Sequence, residues 1–591
     1  MSRIEDYAML GDCQSAALVD SRGSVDWWCA PRFDSRSVFA RLLDPTAGHF
    51  SICPEGPFTV QRAYVEDTMV LETTFRSEKG AVRLTDALAL GHGERGHDIG
   101  RRSPHVLLRS VEGLEGELTL LVEFVPRLEY GLVRPRLLET PDGLETVGGP
   151  DSLVLRTAER FTLDGATARA RIRIGAGRRF ELALHHATGL RRPEGDDARA
   201  DLADTIAAWR SWADAHTGYD GAYRTEVRRS ALLLQALTYR PSGAVVAAPT
   251  TSLPEIPGGS WNWDYRYAWL RDASLALKAL WVGACPDEAA EYFEWMARAA
   301  IGDPEEDVQI MFGVEGERDL TERALEHLAG HDGARPVRVG NDAWRQRQLD
   351  VYGEILEAAW ILREKLGDLD PVVSRFLCSL ADRAAALWRE PDAGIWEGRD
   401  GERHYVSSKL WCWVALDRAL RMEDRLQPGS RARTWRRERD AVRAAILEHG
   451  WSEAAGAYTG AFGSDQLDAS VLLMALVGFL PGEDERLRRT VATIERRLGD
   501  GALVRRWTGA EEGGFVICSY WLAHALAVTG RSEDARVVFE RVTAYANDVG
   551  LLAEEIDPAD GRQWGNFPQA FSHVGLINAA WAITECDAAS R

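Results

Sequence analysis

Residues 196–216 read DDARADLADTIAAWRSWADAH. Apolar residues recur there at steps of three and four, the pattern of an amphipathic helix with one buried face. This stretch divides two unlike regimes. Upstream, from about residue 15 to 190, short alternating runs dominate: GHFSICP (48–54), FTVQRAYV (58–65), MVLETTFRSEKGAVRLTDAL (69–88), HVLLRSVEG (105–113), LTLLVEFVP (118–126), SLVLRTAERFTL (152–163), ARARIRIGAG (168–177) and FELALHHA (180–187). Period-two alternation punctuated by Gly, Pro and Asp predicts an antiparallel β-sandwich.

Downstream of about Gly221 the period becomes helical. Candidate helices lie near 222–239, 264–282, 286–301, 347–366, 371–389, 407–421, 431–448, 467–478, 485–498, 513–529, 533–547 and 567–584. Their sequences diverge, so a solenoid with a sequence repeat is excluded. About twelve helices of similar length fit a ring of six hairpins, an (α/α)6 barrel, and also a generic large α domain. The expected architecture is multidomain β + α, with an N-terminal sandwich over 1–195, a helical linker over 196–220 and a helical domain over 221–591.

At 591 residues the chain exceeds what one core usually serves. Its net charge of −21 argues against nucleic acid or an anionic membrane surface as partner, because either would repel it. The opening MSRIEDYAML lacks the apolar core of a secretory signal, and no run approaches the roughly 18 apolar residues of a membrane span. Eight cysteines are scattered without a C-x-x-C pair, which reads as reduced thiols rather than a zinc site or a disulfide framework. A cytoplasmic protein is expected, with a homo-oligomer left open. No metal-ligand cluster and no cofactor motif is visible.

Tryptophan is unusually frequent, at 21 residues, and several stand beside carboxylates: Trp27 and Trp28 after Asp26, Trp263 before Asp264, Trp396 before Glu397. Taken singly, such rings fill cores; together they also suit a sugar site, where flat rings stack on pyranose faces. Three interhelical segments are long and rich in Trp, Arg and Glu: 302–346, VRRWTGAEEGG (504–514) and LLAEEIDPADGRQWGNFPQ (551–569). Long loops in a compact domain are usually functional or disordered, and these residue types favour function.

Glycosidic cleavage needs an acid to protonate the leaving oxygen and a second carboxylate to activate water or to attack. Glu397, in DAGIWEGRDGERHYVSSKLWCW (392–413), follows Ile395 and Trp396, apolar neighbours suited to holding a proton. Glu554, in GLLAEEIDPADG (550–561), closes an apolar run. Asp264, Arg271 and Asp272 form a third cluster in WNWDYRYAWLRDASLALKAL (261–280). Each reads equally as an ordinary solvated or helix-terminal charge, and Arg271–Asp272 as a structural ion pair.

The segments DYAMLGDCQSAALVDSRGSVDWWCAPRFDS (6–35), WNWDYRYAWLRDAS (261–274), GIWEGRDGERHYVSSKLWCWVALDRAL (394–420) and EEIDPADGRQWGNFPQAFSHVGLINAAW (554–581) resemble, in order along nearly the whole chain, the bacterial branch of glycoside hydrolase family 15. That family contains glucoamylases, glucodextranases and trehalases. The resemblance implies a β-sandwich, a linker and an (α/α)6 barrel with the site in its mouth. It implies Glu397 as general acid and Glu554 as general base of an inverting, exo-acting α-glucoside hydrolase that needs no metal or cofactor. Arg271, Asp272 and Arg506 would hold the terminal glucose, with Trp269 and Trp396 completing the substrate-binding set. Arg505 is adjacent, so a one-residue slip would exchange it with Arg506. Gly398 departs from the Glu or Val often found after the acid, so the resemblance carries no sugar contact over to that position.

Glucoamylase-like release of β-glucose from α-1,4 and α-1,6 oligosaccharides is the leading expectation, with trehalase as the alternative. An inverting phosphorylase would have no need of Glu554, and a non-catalytic sugar-binding protein would be expected to lose one of the carboxylates.

Overall fold

The structure is a computed structural model that describes residues 2–189, 198–216, 218–283, 286–302, 307–367, 369–399 and 401–590. Residues 190–195 of the expected sandwich and 196, 197 and 217 of the expected linker lie outside them.

The strands of the N-terminal region are organised by one long member, Val106–Val125. Its first half pairs with Gly80–Leu88 and Arg179–Thr188, and its second half with His49–Pro54 and Thr167–Gly175, all antiparallel. The sequence pattern divides this strand into two, 105–113 and 118–126, because turn residues interrupt the alternation. The chain instead continues through the interruption and belongs to both layers. Gly116, at φ +60°, makes this possible: a Cβ there would stand 2.0 Å from the Lys79 carbonyl oxygen. Arg109, on the first half, is fully buried and ties the layers together. Its guanidinium meets Asp86 at 2.8 Å and also donates to the carbonyls of Phe50 and Gly23. A buried charge of this kind is tolerated because its donors are met.

Helix α1 (Ala198–Ala215) leads into the helical region. There follow α2 (Arg224–Ala236), α3 (Ala273–Gly283), α4 (Pro286–Ala300), α5 (Asp350–Leu362), α6 (Pro371–Leu387), α7 (Val406–Arg421), the single turn α8 (Glu423–Leu426), α9 (Arg431–His449), α10 (Leu473–Leu476), α11 (Glu485–Arg497), α12 (Val516–Val528), α13 (Ser532–Thr543) and α14 (Ala570–Ser590). Helices α3, α5, α7, α10, α12 and α14 touch in a closed circuit, α7 reaching α10 through the 3-10 turn Ala469–Leu472 and α14 returning to α3. The others pack outside, giving the (α/α)6 barrel.

Sequence decides which helix goes where. In α12, VICSYWLAHALAV, every residue but the last is buried, as an inner helix surrounded by neighbours requires. In α11 only Leu487, Thr490, Val491, Thr493 and Ile494 are buried, the single stripe of an outer helix. Its start is fixed by Asp484, whose side chain accepts from Leu487 N at 3.0 Å.

Two helices are shorter than their patterns. Of 467–478 only the 3-10 turn Ala469–Leu472 and α10 are helical. The stretch 264–282 reads as helical throughout, yet α3 begins only at Ala273. Residues before it are extended, with Ala268–Trp269 pairing against Met311–Phe312. The odd-numbered Trp261, Trp263, Tyr265, Trp269 and Arg271 line a cavity, while Asn262, Asp264, Arg266, Ala268 and Leu270 are buried behind it. That is period two, the alternation of a strand.

The two regions are pinned together by side chains from both. Trp27 donates to the Pro249 carbonyl at 2.8 Å, and Arg266 to the Ser35 carbonyl and the Tyr130 hydroxyl, both at 2.9 Å.

One close helix approach is a testable element of the ring. A Cβ on Gly353 of α5 would lie 2.1 Å from the Trp411 carbonyl oxygen and 2.8 Å from its carbon, both backbone atoms of α7. Gly353→Ala should therefore destabilise the protein by about 1–3 kcal/mol, the cost of overpacking, despite the better helix propensity of alanine. A denaturation midpoint equal to or above wild type would show that α5 and α7 do not pack this closely.

Candidate active site

A cavity of about 460 Å³ opens at one end of the barrel, within the size range of small-molecule sites. Its wall comes from the segments entering all six inner helices: Trp269, Arg271 and Asp272 before α3, Asn341 and Ala343 before α5, Ile395–Arg399 and Tyr405 before α7, Gln466–Asp468 before α10, Arg506–Thr508 and Phe515 before α12, and Glu554 and Gln569 before α14. The seven residues that the family resemblance gives as catalytic or substrate-binding, Trp269, Arg271, Asp272, Trp396, Glu397, Arg506 and Glu554, line this cavity.

Glu397 sits in the turn between α6 and α7 at φ +57°, a backbone region that side-chain-bearing residues rarely occupy. Three contacts hold it there. Its N–H donates to the Gly394 carbonyl at 3.2 Å, Gln346 Nε2 donates to the Glu397 carbonyl at 3.1 Å, and Arg271 Nη1 donates to the Ile395 carbonyl at 2.7 Å. Its carboxylate Oε1 accepts from Trp269 Nε1 at 2.6 Å and from Arg271 Nη1 at 2.8 Å. The apolar setting expected from Ile395 and Trp396 is therefore only part of the picture. Trp396 turns its indole N–H to Asp468, at 3.0 Å, and its ring toward Trp507, Phe515 and Trp521. The groups that touch the carboxylate are a guanidinium and an indole N–H.

Arg271 also reaches Asp272 Oδ1, at 3.2 Å, so the Arg-Asp pair is one ion-paired unit on the cavity wall just before α3. Burial raises the Asp272 pKa, and the neighbouring Arg271 opposes the rise.

Glu554 precedes the short strand Glu555–Ile556. It is 3% exposed, and its Oε1 accepts from the Tyr265 hydroxyl at 2.8 Å. Burial pushes its pKa well above the usual 4.5, and the charge of Glu255 adds to the effect. The segment carrying it is fastened to α14 and the following loop: His573 Nε2 accepts from Leu552 N at 3.1 Å, Gln563 accepts from Ala553 N at 2.6 Å, and Ser572 donates to the Ala553 carbonyl at 2.7 Å.

Arg506 is the buried hub. It meets Glu255 at 2.6 Å, Glu512 at 2.9 Å and Glu555 at 3.4 Å, and its guanidinium lies over the rings of Trp507 and Phe515. Burial alone would lower its pKa, but the carboxylates of Glu255, Glu555 and Glu512 outweigh that and raise it. Arg505 points elsewhere, to the half-exposed Asp500 at 3.3 Å. The one-residue ambiguity therefore resolves to Arg506 as the cavity residue.

Two placements differ from the sequence reading. Asp264 does not face the cavity; it is buried against Arg266 at 2.6 Å and accepts from Gly340 N at 3.0 Å, a structural pair. Glu255, Tyr265 and Asp468 line the cavity without having been singled out. Tyr265 was findable, since it falls in phase with Trp263 and Trp269. Glu255 stands in a Pro- and Gly-flanked loop, and nothing local marks it.

Comparison with known proteins follows the same division of the chain. Residues 221–581 match the family model described as glycosyl hydrolases family 15, and residues 1–200 match one described as trehalase-like, N-terminal. A trehalase of Mycobacterium tuberculosis is 40% identical, aligned over 98% of this chain and 89% of its own length. A trehalase of Thermoplasma volcanium is 32% identical over 99% of this chain and 94% of its own. Among solved structures, a bacterial glucoamylase complexed with acarbose superposes with a TM-score of 0.72, covering 98% of this chain and 94% of its own, at 13% identity; at that identity the likeness concerns the fold.

The raised pKa of Glu554 has a measurable consequence. The folded protein binds this proton more tightly than the unfolded chain does. The group's contribution to stability therefore falls as pH rises from the ordinary 4.5 through the raised folded value. Glu554→Gln mimics the protonated form and removes that penalty. At pH 8 it should be more stable than wild type. The gap should close as pH falls toward 4.5. Chemical denaturation across this range would falsify the electrostatic picture by finding a gap that does not change with pH.

Proposed function

The chain belongs to glycosyl hydrolase family 15, and from that premise we propose that this glycoside hydrolase is a trehalase, cleaving α,α-trehalose to glucose with inversion at the attacked carbon. The observation that carries the reading is the 40% identity, over 98% of the chain, to an enzyme named trehalase. This reverses the order of preference that the sequence motifs alone suggest, in which glucoamylase-like action came first. The likeness to bacterial glucoamylase has much lower identity and speaks for the shared barrel. In this reading residues 221–591 are the catalytic domain, 1–195 its companion sandwich and 196–220 the link.

Glu397 is assigned as general acid. Trp269 and Arg271 both occupy its Oε1, so the proton it donates to the glycosidic oxygen is carried on Oε2. Glu554 is assigned as general base. Tyr265 occupies its Oε1, which leaves Oε2 to take a proton from the attacking water. Arg271 and Asp272 anchor hydroxyls of the glucose being cleaved, with Trp269, Trp396 and Arg506 completing the pocket. Contacts that tighten as the ring flattens toward the oxocarbenium ion lower the barrier rather than merely fastening the ground state.

Burial opposes ionisation of Glu554, and a water at its Oε2 would supply the hydrogen bond that its carboxylate needs to act as a base.

Three measurements follow from the assignment. With trehalose, maltose, isomaltose and maltotriose assayed separately, kcat/KM for trehalose should be the highest by at least about 10²-fold, the upper range of discrimination by a pocket; maltose as the better substrate would restore the glucoamylase-like reading. Proton NMR in the first minutes of trehalose cleavage should show α- and β-glucose in equal amounts, one from the leaving group and one from inversion; α-glucose alone would mean retention. Glu397→Gln and Glu554→Gln should each lower kcat by at least about 10²-fold with the fold intact, and near-normal turnover in either would remove that residue from the mechanism.

A further inference from the structure

Away from the cavity, the fold brings together three side chains that no sequence window contains. His97 lies on the 3-10 turn Gly96–Asp98 of the sandwich region, His216 follows the end of α1, and Glu288 is in the first turn of α4. Their ligating atoms all lie within 4.8 Å of one another. His97 Nδ1 stands 2.8 Å from Glu288 Oε1, and His216 Nε2 stands 3.1 Å from the same oxygen. Trp212 Nε1 donates to that oxygen at 3.1 Å, and the Trp212 ring stacks on His216 at 4.0 Å.

The tautomer of His216 is fixed by its other contact. Its Nδ1 faces the Trp212 carbonyl, which can only accept, so Nδ1 carries the proton. In a neutral imidazole Nε2 then presents a lone pair to a carboxylate oxygen, which is repulsive. Either a second proton shared by the two side chains or a metal ion that both atoms ligate has to stand between them.

The surroundings favour the ion. A metal-binding histidine characteristically gives its second ring N–H to a backbone carbonyl, as His216 does, and the ligating carboxylate takes an outer hydrogen bond, as Glu288 does from Trp212. The side chains of His216 and Glu288 are 1% and 2% exposed, but His97 is 42% exposed, which gives an entry path and room for water as a further ligand. The nearby charges are Asp287, 3.9 Å from His97 Nε2, Lys365, which pairs with Asp287 at 2.5 Å, and Arg240, which donates to the His97 carbonyl.

We propose that His97, His216 and Glu288 form a structural binding site for a divalent transition metal of the zinc class, joining the sandwich, the linker helix and the barrel. Two imidazoles and a carboxylate match zinc's ligand preferences, whereas magnesium favours all-oxygen ligation. The absence of a metal cluster expected from the sequence is therefore revised: His216 and Glu288 are 72 residues apart, His97 lies farther still, and the three meet only in the fold. None of the three lines the sugar cavity, so the ion would brace the domains without taking part in catalysis.

The test uses the full chain, stripped with a chelator, dialysed and then titrated with Zn2+ alone at pH 7, with Mg2+ as the comparison. The expected result is one Zn2+ retained per chain by elemental analysis, a Tm that rises with Zn2+ and not with Mg2+, and a loss of affinity of at least about tenfold in His97→Ala. His97 is half-exposed, so that variant should fold, and its trehalose turnover should stay near wild type. Glu288→Gln should also lose the ion. Three results would each overturn the proposal: no zinc retained, undiminished zinc binding by His97→Ala, or a Tm that ignores zinc and simply falls as pH rises through the imidazole range. The last would identify the second proton as the missing charge.

Discussion

One guanidinium holds the floor of the cavity together. Arg506 is buried among Glu255, Glu512 and Glu555, with Glu554 close by. These carboxylates arrive from the 255 loop, from the segment entering α12 and from the strand before α14, three separate parts of the chain. Without the cation they would repel one another in a region where water cannot screen them. With it, the loops are drawn to one point and the position of Glu554 is set. Burial raises the pKa values of Glu255, Glu554 and Glu555, and the neighbouring carboxylates add to the rise while Arg506 opposes it. The mechanism proposed for Glu554 draws on the same surroundings, since a carboxylate whose proton affinity is raised is a better base toward water.

Much of this was legible in the sequence, for identifiable reasons. The inner and outer helices differ in how many faces are apolar, and α12 and α11 declare themselves by that count. Trp396–Glu397 and Glu554 lie in short motifs beside strong helical signals, so their positions survive small errors in element boundaries. What was lost depended on period or on distance. Residues 264–271 were read as helix when their alternation had period two, and the same reading hid Tyr265 and grouped Asp264 with Arg271 and Asp272, although it faces away from the cavity. The long strand through Gly116 was divided because a glycine normally ends a strand. Glu255, and the convergence of His97, His216 and Glu288, left no local signature at all; only the folded chain brings those atoms together.

The environment of Glu397 also qualifies a common inference. A glutamate that follows Ile and Trp suggests a carboxyl wrapped in apolar surface. Here the backbone turns at positive φ, so Trp396 and Glu397 point to different neighbours: the ring to an aromatic cluster and Asp468, the carboxylate to Arg271 and Trp269. Adjacent residues in sequence share a surrounding only when the backbone is regular, and at this turn it is not.

The cavity is walled by the segments that enter six inner helices, while the helices themselves hold to one another along their lengths. Shape and chemistry are thereby carried by different atoms. A change in the 341–349 loop or the 460–468 loop can alter what the mouth admits without disturbing the contacts that close the ring. Such a scaffold lets each wall of the site drift independently, so that proteins sharing this ring at low identity can come to prefer different sugars while the ring remains recognisable. Selection could retune the enzyme one loop at a time, never passing through an unfolded intermediate sequence.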